Sequence, residues 1–398
     1  MDVGTLTAVA GLPLAAVAAY LAWEPQRTVR RQRAVDRFIE VRRHLKEHRA
    51  ELAEAGLAAH PARDGELALL TAPGWIPEEP LPAARVRLSL RPEPEPGNGE
   101  FEAAKRRLRG YWPRRDGFAS AVGEYDRPAM WFNGPGYRLT GVTPGEGAPA
   151  LEFALAGYFD SYDTAEPLAY EAALRHRDGD APMAGRYRRW LGDPFDLGRR
   201  CAQSGVSTLT VRVDGDRAYF FLHRRDAQGV ATAMNTTHVV PAGEFQPHAD
   251  VLPVWHSDLD LWHNTMREYA EEFLGAPDAG GVGGATLDYD TDEPYASMNR
   301  AARQGRARFS FLGLGLDPLN WKPELLTVCV WEAATFDTVF GGMTERNEEG
   351  VIVVGHGHRG LPFTEENVLG YARHPRTHSA GRACLHLAWR RRAALGIP

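Results

Sequence analysis

The residues best suited to chemistry by type and spacing are the acids of the hexapeptide 267–272, Arg-Glu-Tyr-Ala-Glu-Glu. On a helix, Glu268, Glu271 and Glu272 stand at positions i, i+3 and i+4, so their carboxylates project from one side. Like charges at this spacing repel by about 0.2–0.5 kcal/mol per pair unless a cation neutralises them. Mg²⁺ or Mn²⁺ would do so, because hard divalent ions prefer carboxylate oxygens. The spacing therefore predicts a metal site formed by these three glutamates.

A helix over residues 260–274 must carry these acids. Its apolar residues recur at helical intervals and form one stripe that we expect to pack on a sheet: Trp262, Met266, Tyr269 and Phe273. Asp258 or Asp260 can cap the start of the helix, and Gly275 can end it. A solvated acidic face is the alternative interpretation, in which Arg267 pairs with Glu271 at i+4.

Strand and turn signals lie on both sides of this helix. The predicted strands of the C-terminal half are residues 208–213, 217–223, 230–233, 237–240, 326–331 and 350–354. Residues 214–216, Asp-Gly-Asp, form the turn of a hairpin between the first two strands. A terminal helix opens at residues 362–367.

The hexapeptide and this order of elements resemble the Nudix hydrolase family. The family motif runs Gly, five residues, Glu, seven residues, Arg-Glu, two residues, Glu-Glu, one residue, Gly, and residues 267–272 match its second half. By order, Gly243 and Glu244 correspond to the glycine-rich turn that opens the motif. The resemblance implies an α/β/α sandwich with a mixed sheet over residues 201–398, within an α+β chain.

The resemblance also implies a chemistry. Glu268, Glu271 and Glu272 would hold Mg²⁺ or Mn²⁺ over a diphosphate, and the ion would activate water for attack on phosphorus. Glu271, Glu272 and Arg267 are the predicted catalytic residues, with Arg267 orienting the acids by pairing. The expected substrate is a nucleoside diphosphate linked to another moiety.

Three departures from the family motif leave a second interpretation open. Gly243 lies 24 positions before Arg267, ten more than in the family. Leu259 stands where the motif has Glu, with an aspartate on either side, and the closing glycine, Gly275, comes one residue late. The alternative is a catalytically inactive Nudix-fold sensor or scaffold that binds a nucleotide-like ligand and a protein partner.

The N-terminal residues favour a membrane anchor. Residues 3–23 contain no charged side chain, and their number matches the roughly 20 residues that cross a bilayer. Arginines follow at once, which predicts a single-pass helix over residues 1–23 in the cell membrane with a cytoplasmic C-terminal body. An alanine-rich helix that is buried or bound to a partner is the alternative. Residues 24–60 are predicted as a basic stalk or packing helix.

Residues 61–200 read as a smaller accessory α/β domain. Strands are predicted over residues 85–90, 137–142 and 150–156, and a helix over residues 166–175 with Thr164 as its N-terminal cap. We assign no chemistry to this region.

The composition of the chain argues against several other kinds of partner and site. A net charge of -6 argues against a general nucleic-acid coat, so no nucleic-acid partner is expected. The three cysteines lie far apart, which indicates a reducing compartment rather than a disulfide framework. His248, His256 and His263 are close in sequence but lack helical i, i+4 spacing, so they are predicted as surface histidines rather than a zinc site.

Overall fold

The computed structural model describes residues 14–60, 66–92, 101–114, 116–128, 130–145, 148–225, 236–277, 287–343, 350–353 and 360–398. Side-chain positions are described from residue 28 onwards. The helices are α1 Leu14–Ala59, α2 Glu102–Arg107, α3 Phe118–Tyr125, α4 Tyr158–Thr164, α5 Glu166–Arg177, α6 Arg186–Leu191, α7 Leu252–Ser257, α8 Leu261–Leu274, α9 Tyr295–Arg303, α10 Ala333–Val339, α11 Glu365–Arg373 and α12 Ser379–Arg390. The strands are β1 Leu81–Pro82, β2 Arg87–Leu90, β3 Pro135–Thr143, β4 Ala150–Gly157, β5 Gly205–Asp214, β6 Arg217–Phe220, β7 Leu222–Arg225, β8 Thr237–Val239, β9 Ala242–Glu244, β10 Ala307–Leu316, β11 Pro323–Glu332, β12 Gly350–Val353 and β13 Leu361–Pro362.

A mixed sheet forms the centre of the C-terminal half. Its strands run in the order β1-β10-β11-β5-β6-β13, and β9 pairs with the beginning of β5. Strands β11 and β5 are parallel, whereas β10 with β11 and β5 with β6 are antiparallel. The mixed α+β class expected from the sequence is confirmed.

Side-chain alternation along β11 places helices on both faces of this sheet. Val328 and Val330 belong to an apolar cluster that includes residues of α12. Cys329 and Trp331 point the other way, into a cluster with Met266, Tyr269 and Phe273 of α8. The C-terminal half is therefore layered as helix, sheet and helix, with α8 packed on one face.

The smaller sheet of the middle region contains β2, β4 and β3, with β2 parallel and β3 antiparallel to β4. The predicted strands and the helix α5 are thus present. The apolar cluster of this region continues past residue 200 and takes in Val206, Phe245 and Leu325. The boundary predicted at residue 200 stays a prediction, and it is not marked by a break in packing.

Thr164 does not cap α5 as predicted, because the preceding residues 158–164 are themselves helical and form α4. The Thr164 hydroxyl instead donates to the Asp160 carbonyl at 2.7 Å and accepts from the Cys201 backbone N–H at 2.8 Å. The strand predicted over residues 230–233 lies outside the described residues.

Helix α1 covers the predicted stalk and packs on the body of the protein. Phe38, Val41 and Leu45 are buried, and the Phe38 ring lies 5.4 Å from the Tyr170 ring of α5. The buried Arg42 guanidinium pairs with Asp126 at 2.8 Å. The C-terminal part of α1 is therefore a core helix, so of the two predicted roles, stalk or packing helix, the structure has the second.

Among the residues that the structure describes, no helix offers a stretch apolar and long enough to cross a bilayer. The span predicted over residues 1–23 lies mostly outside them, since the described chain begins at Leu14. The membrane anchor stays a prediction.

The packing of α1 makes a stability prediction. Leu45→Ala removes a side chain that is 2% exposed, and we expect it to lower the free energy of unfolding by about 2–5 kcal/mol. Val29→Ala is the control on the same helix, because Val29 is 48% exposed and its truncation should change stability by no more than about 0.5 kcal/mol. Denaturant unfolding of the full chain measures both. Equal effects of the two variants would mean that α1 does not pack as described.

Candidate functional site

Helix α8 begins and ends where its sequence signals predict. The Asp260 carboxylate accepts from the backbone N–H groups of Trp262 at 2.7 Å and His263 at 3.0 Å. Gly275 adopts the left-handed conformation, with φ of 67°, and ends the helix. Met266, Tyr269 and Phe273 are fully buried against the sheet, so the predicted apolar stripe is present.

Arg267 is buried in the middle of α8 and binds mainly groups outside this helix. Its Nη1 lies 3.0 Å from Asp258 Oδ2 and also donates to the Tyr289 hydroxyl. Its Nη2 donates to the Gln246 carbonyl at 2.5 Å and to Asn264 Oδ1 at 3.1 Å. These contacts hold α8 against the segments before and after it, so Arg267 is a positioning residue in this geometry.

Asp258 is the counter-ion of Arg267. Besides Arg267, it accepts from His248 Nδ1 at 2.7 Å, the His248 backbone N–H at 2.8 Å and the Tyr289 hydroxyl at 3.0 Å. Burial alone would raise the pKa of Asp258, but the His248 hydrogen bonds and the Arg267 charge outweigh it and lower the pKa. The carboxylate is therefore held ionised.

The prediction of surface histidines is wrong for His248, which is buried against Asp258. His263 stacks on the Tyr289 ring at 4.0 Å, and His256 is exposed. The error has a physical cause. Asp258, the partner that stabilises the buried His248, lies after α7, and the hydrophobic periodicity of the sequence does not show that the two residues meet.

Two of the three predicted ligands, Glu268 and Glu272, face β9. Glu272 is buried and accepts from the Ala242 backbone N–H at 3.2 Å. The Glu268 carboxylate lies so close to Gly243 that a Cβ atom built there would be 2.1 Å from its Oε1. Glycine at position 243 therefore lets the carboxylate of α8 approach the backbone of β9.

Glu271 occupies a different place. It is half-buried and faces α9. Burial is the main cause of the raised pKa of Tyr295 on that helix, and the charge of Glu271 adds to it. Among the described residues, groups of three ligands with donor atoms within 4.8 Å of one another do not include these glutamates. The structure thus brings Glu268 and Glu272 to one strand and leaves Glu271 apart.

A second acidic group lies across β9. Glu244 follows Gly243 and points to the opposite face of the strand, where Lys322 Nζ is 2.6 Å from its Oε1. The same Lys322 lies 3.9 Å from Glu324, which accepts from the Ser207 hydroxyl at 3.1 Å. Burial raises the pKa of Glu324 to about 7 despite the Lys322 charge.

Sequence reasoning missed Tyr289 and the connection of Lys322 with Glu244, because both lie far along the chain from their partners. Asp258 was available as a signal, since it stands one position from Leu259, which occupies the place of the motif glutamate.

Comparisons with known proteins add no assignment to this geometry. No protein-family model matches the chain, and a search of curated proteins returns no match.

The buried ion pair makes a prediction about stability. Arg267→Met leaves the Asp258 carboxylate buried without its cation, and we expect a loss of about 3–5 kcal/mol in the free energy of unfolding. Arg300→Met removes a cation that is 60% exposed and pairs with Glu293, so this variant should lose less than about 1 kcal/mol in the free energy of unfolding. Denaturant unfolding compares the two variants. If Arg267→Met lowers the free energy of unfolding no more than Arg300→Met does, the buried ion pair does not hold α8 as described.

Glu324 makes a prediction about pH. Its pKa is 4.5 ordinarily and about 7 when folded, so between these values the folded state keeps a proton that the unfolded state releases. This component of stability is complete below pH 4.5 and is lost as pH rises through 7, by up to about 3 kcal/mol. Glu324→Gln should remove it, so the free energy of unfolding of the variant should fall less between pH 5 and pH 8. Parallel pH profiles of the two proteins would exclude this account.

Proposed function

We propose that the C-terminal half is a Nudix-like hydrolase domain that cleaves a nucleoside diphosphate linked to another moiety and requires Mg²⁺. The observation that carries the proposal is the approach of two helix carboxylates, Glu268 and Glu272, to the glycine of β9. By its order in the chain, Gly243 corresponds to the glycine of the opening turn of the family motif, and here it lies in strand β9.

The layering of the C-terminal half supports the fold part of the proposal. A mixed sheet with α8 on one face and α12 on the other agrees with an α/β/α sandwich. The Asp258–Arg267 pair also supports it, because Asp258 supplies a carboxylate one residue away from the motif position that Leu259 occupies.

The donor set fits a magnesium ion. Mg²⁺ retains several waters and is commonly bound by one or two carboxylates together with substrate phosphates. Glu268 and Glu272 provide two such carboxylates at i and i+4, and the backbone of β9 adjoins them. Mg²⁺ would neutralise phosphate charge and lower the pKa of a bound water. Arg267 acts through position, since its hydrogen bonds fix how α8 is turned toward β9.

Glu271 is the third carboxylate of the proposal. It is half-buried and faces α9 rather than β9. We keep it as a predicted catalytic residue, and its role in the proposal is to orient water.

The second candidate function is a non-hydrolytic sensor that binds a nucleotide-like ligand and a protein partner. It is favoured by the placement of Glu271 away from Glu268 and Glu272, and by the bond that Glu272 already makes with Ala242. In either case, the anchor predicted over residues 1–23 would hold the body on the cytoplasmic face of the cell membrane.

Turnover by the purified full chain tests the proposal. We expect magnesium-dependent release of a phosphate-containing product from a panel of nucleoside diphosphates linked to sugars, nucleosides or a further phosphate. A chelator should abolish release and added Mg²⁺ should restore it. Glu268→Gln and Glu272→Gln should each lower kcat/KM by about 100-fold or more, because a ligand is lost while side-chain volume is kept. The control Glu366→Gln, on the exposed face of α11, should match the wild type.

The outcomes separate the two candidates. Magnesium-dependent turnover that these glutamine variants abolish excludes the sensor. Thermal stabilisation by the same compounds without turnover excludes the enzyme and supports the sensor. If no member of the panel is turned over or stabilises the protein, the assignment of a diphosphate substrate or ligand is wrong.

A further inference from the structure

Three histidines from two helices, α1 and α5, lie close together. His44 and His48 are at i and i+4 on α1, and His176 is in the last turn of α5. One ring nitrogen from each lies within 4.8 Å of the others. All three side chains are half-buried, so the group is both held in place and open to solvent.

The contacts within the group are close to those of a ligand set. His44 Nε2 lies 2.9 Å from His176 Nδ1, and the His44 and His48 rings are 4.2 Å apart. Nitrogen atoms bound to one tetrahedral zinc ion stand about 3.3 Å apart, given a Zn–N distance of about 2.0 Å. Small side-chain rotations would therefore suffice for the three rings to share an ion.

A carboxylate lies beside two of the rings. Glu51 is one turn beyond His48 on α1, and its Oε2 is 3.0 Å from His48 Nδ1. Its other oxygen is 3.3 Å from His176 Nε2. Glu51 is 62% exposed, so its carboxylate can move onto an ion without breaking packed contacts.

We propose that His44, His48 and His176 bind a Zn²⁺ ion, with Glu51 or water in the fourth position. Three imidazoles with water in the fourth position are a known tetrahedral zinc set, and carboxylate oxygen also binds zinc, whereas Mg²⁺ and Ca²⁺ prefer oxygen ligands. Burial, together with the neighbouring His48 and His176, lowers the pKa of His44, which favours the neutral imidazole that binds metal.

The site would join α1 to α5. These helices already pack through Phe38 and Tyr170, and salt bridges from Arg37 to Asp178 and from Arg177 to Glu40 lie on the same side. A zinc ion held by both helices adds a bond between elements that are distant in sequence. Metal binding should therefore stabilise the docking of the N-terminal helix.

Zinc uptake by the metal-stripped full chain tests the proposal, with Zn²⁺ alone as the probe. Equilibrium dialysis should give one tightly bound zinc per chain, and saturation should raise Tm by about 3 °C or more. The double variant His44→Gln/His176→Gln should lose this zinc and the Tm increase. His256→Gln is the matched control, since His256 is an exposed histidine on α7, and it should retain both.

X-ray absorption of the zinc-loaded wild type gives a measurement that needs no variant. We expect scattering from three imidazoles at Zn–N distances of about 2.0 Å. Absence of tight zinc, retention of it by a folded double variant, or a spectrum with fewer than three imidazoles would each overturn the site. None of these results depends on turnover, so failure of the hydrolase proposal would leave this test unaffected.

Discussion

The orientation of α8 depends on one buried ion pair. Arg267 and Asp258 both give up hydration, and the loss is tolerable only because each is bound by further partners, Tyr289 between them and His248 on the carboxylate. Side chains advance by about 100° per residue around a helix. With position 267 fixed inward, positions 268 and 272 must lie along β9, and position 271 must lie toward α9.

Gly243 sets how closely the helix and β9 can approach. A side chain at this position would occupy the space of the Glu268 carboxylate, so the absence of a Cβ is what allows contact with the strand. The next residue, Glu244, points to the other face and binds Lys322. Strand β9 therefore separates two acidic groups, Glu268 and Glu272 on one face and Glu244, which pairs with Lys322, on the other.

Local signals predicted much of the fold and part of the site. The apolar stripe, the Asp260 cap and Gly275 fixed the bounds of α8 closely, because each acts within a few residues of the helix. The long strand β10 was missed, since glycines interrupt its alternation at Gly313 and Gly315. Pairings across the chain could not be read in the same way. The alternative interpretation paired Arg267 with Glu271 one turn away, yet its charge partner is Asp258, which precedes the helix.

The histidine group shows the same limit of sequence-based prediction. His44 and His48 carry an i, i+4 signal that sequence reasoning can find, but the third ring comes from His176, which only the packing of α1 on α5 brings near. The two proposed cation sites then differ in ligand chemistry, with imidazole nitrogens in one and carboxylate oxygens in the other. Zinc and magnesium would partition between them by ligand type rather than by overall affinity. If both proposals hold, an ion between α1 and α5 would affect the attachment of the N-terminal helix, whereas an ion between α8 and β9 would affect catalysis.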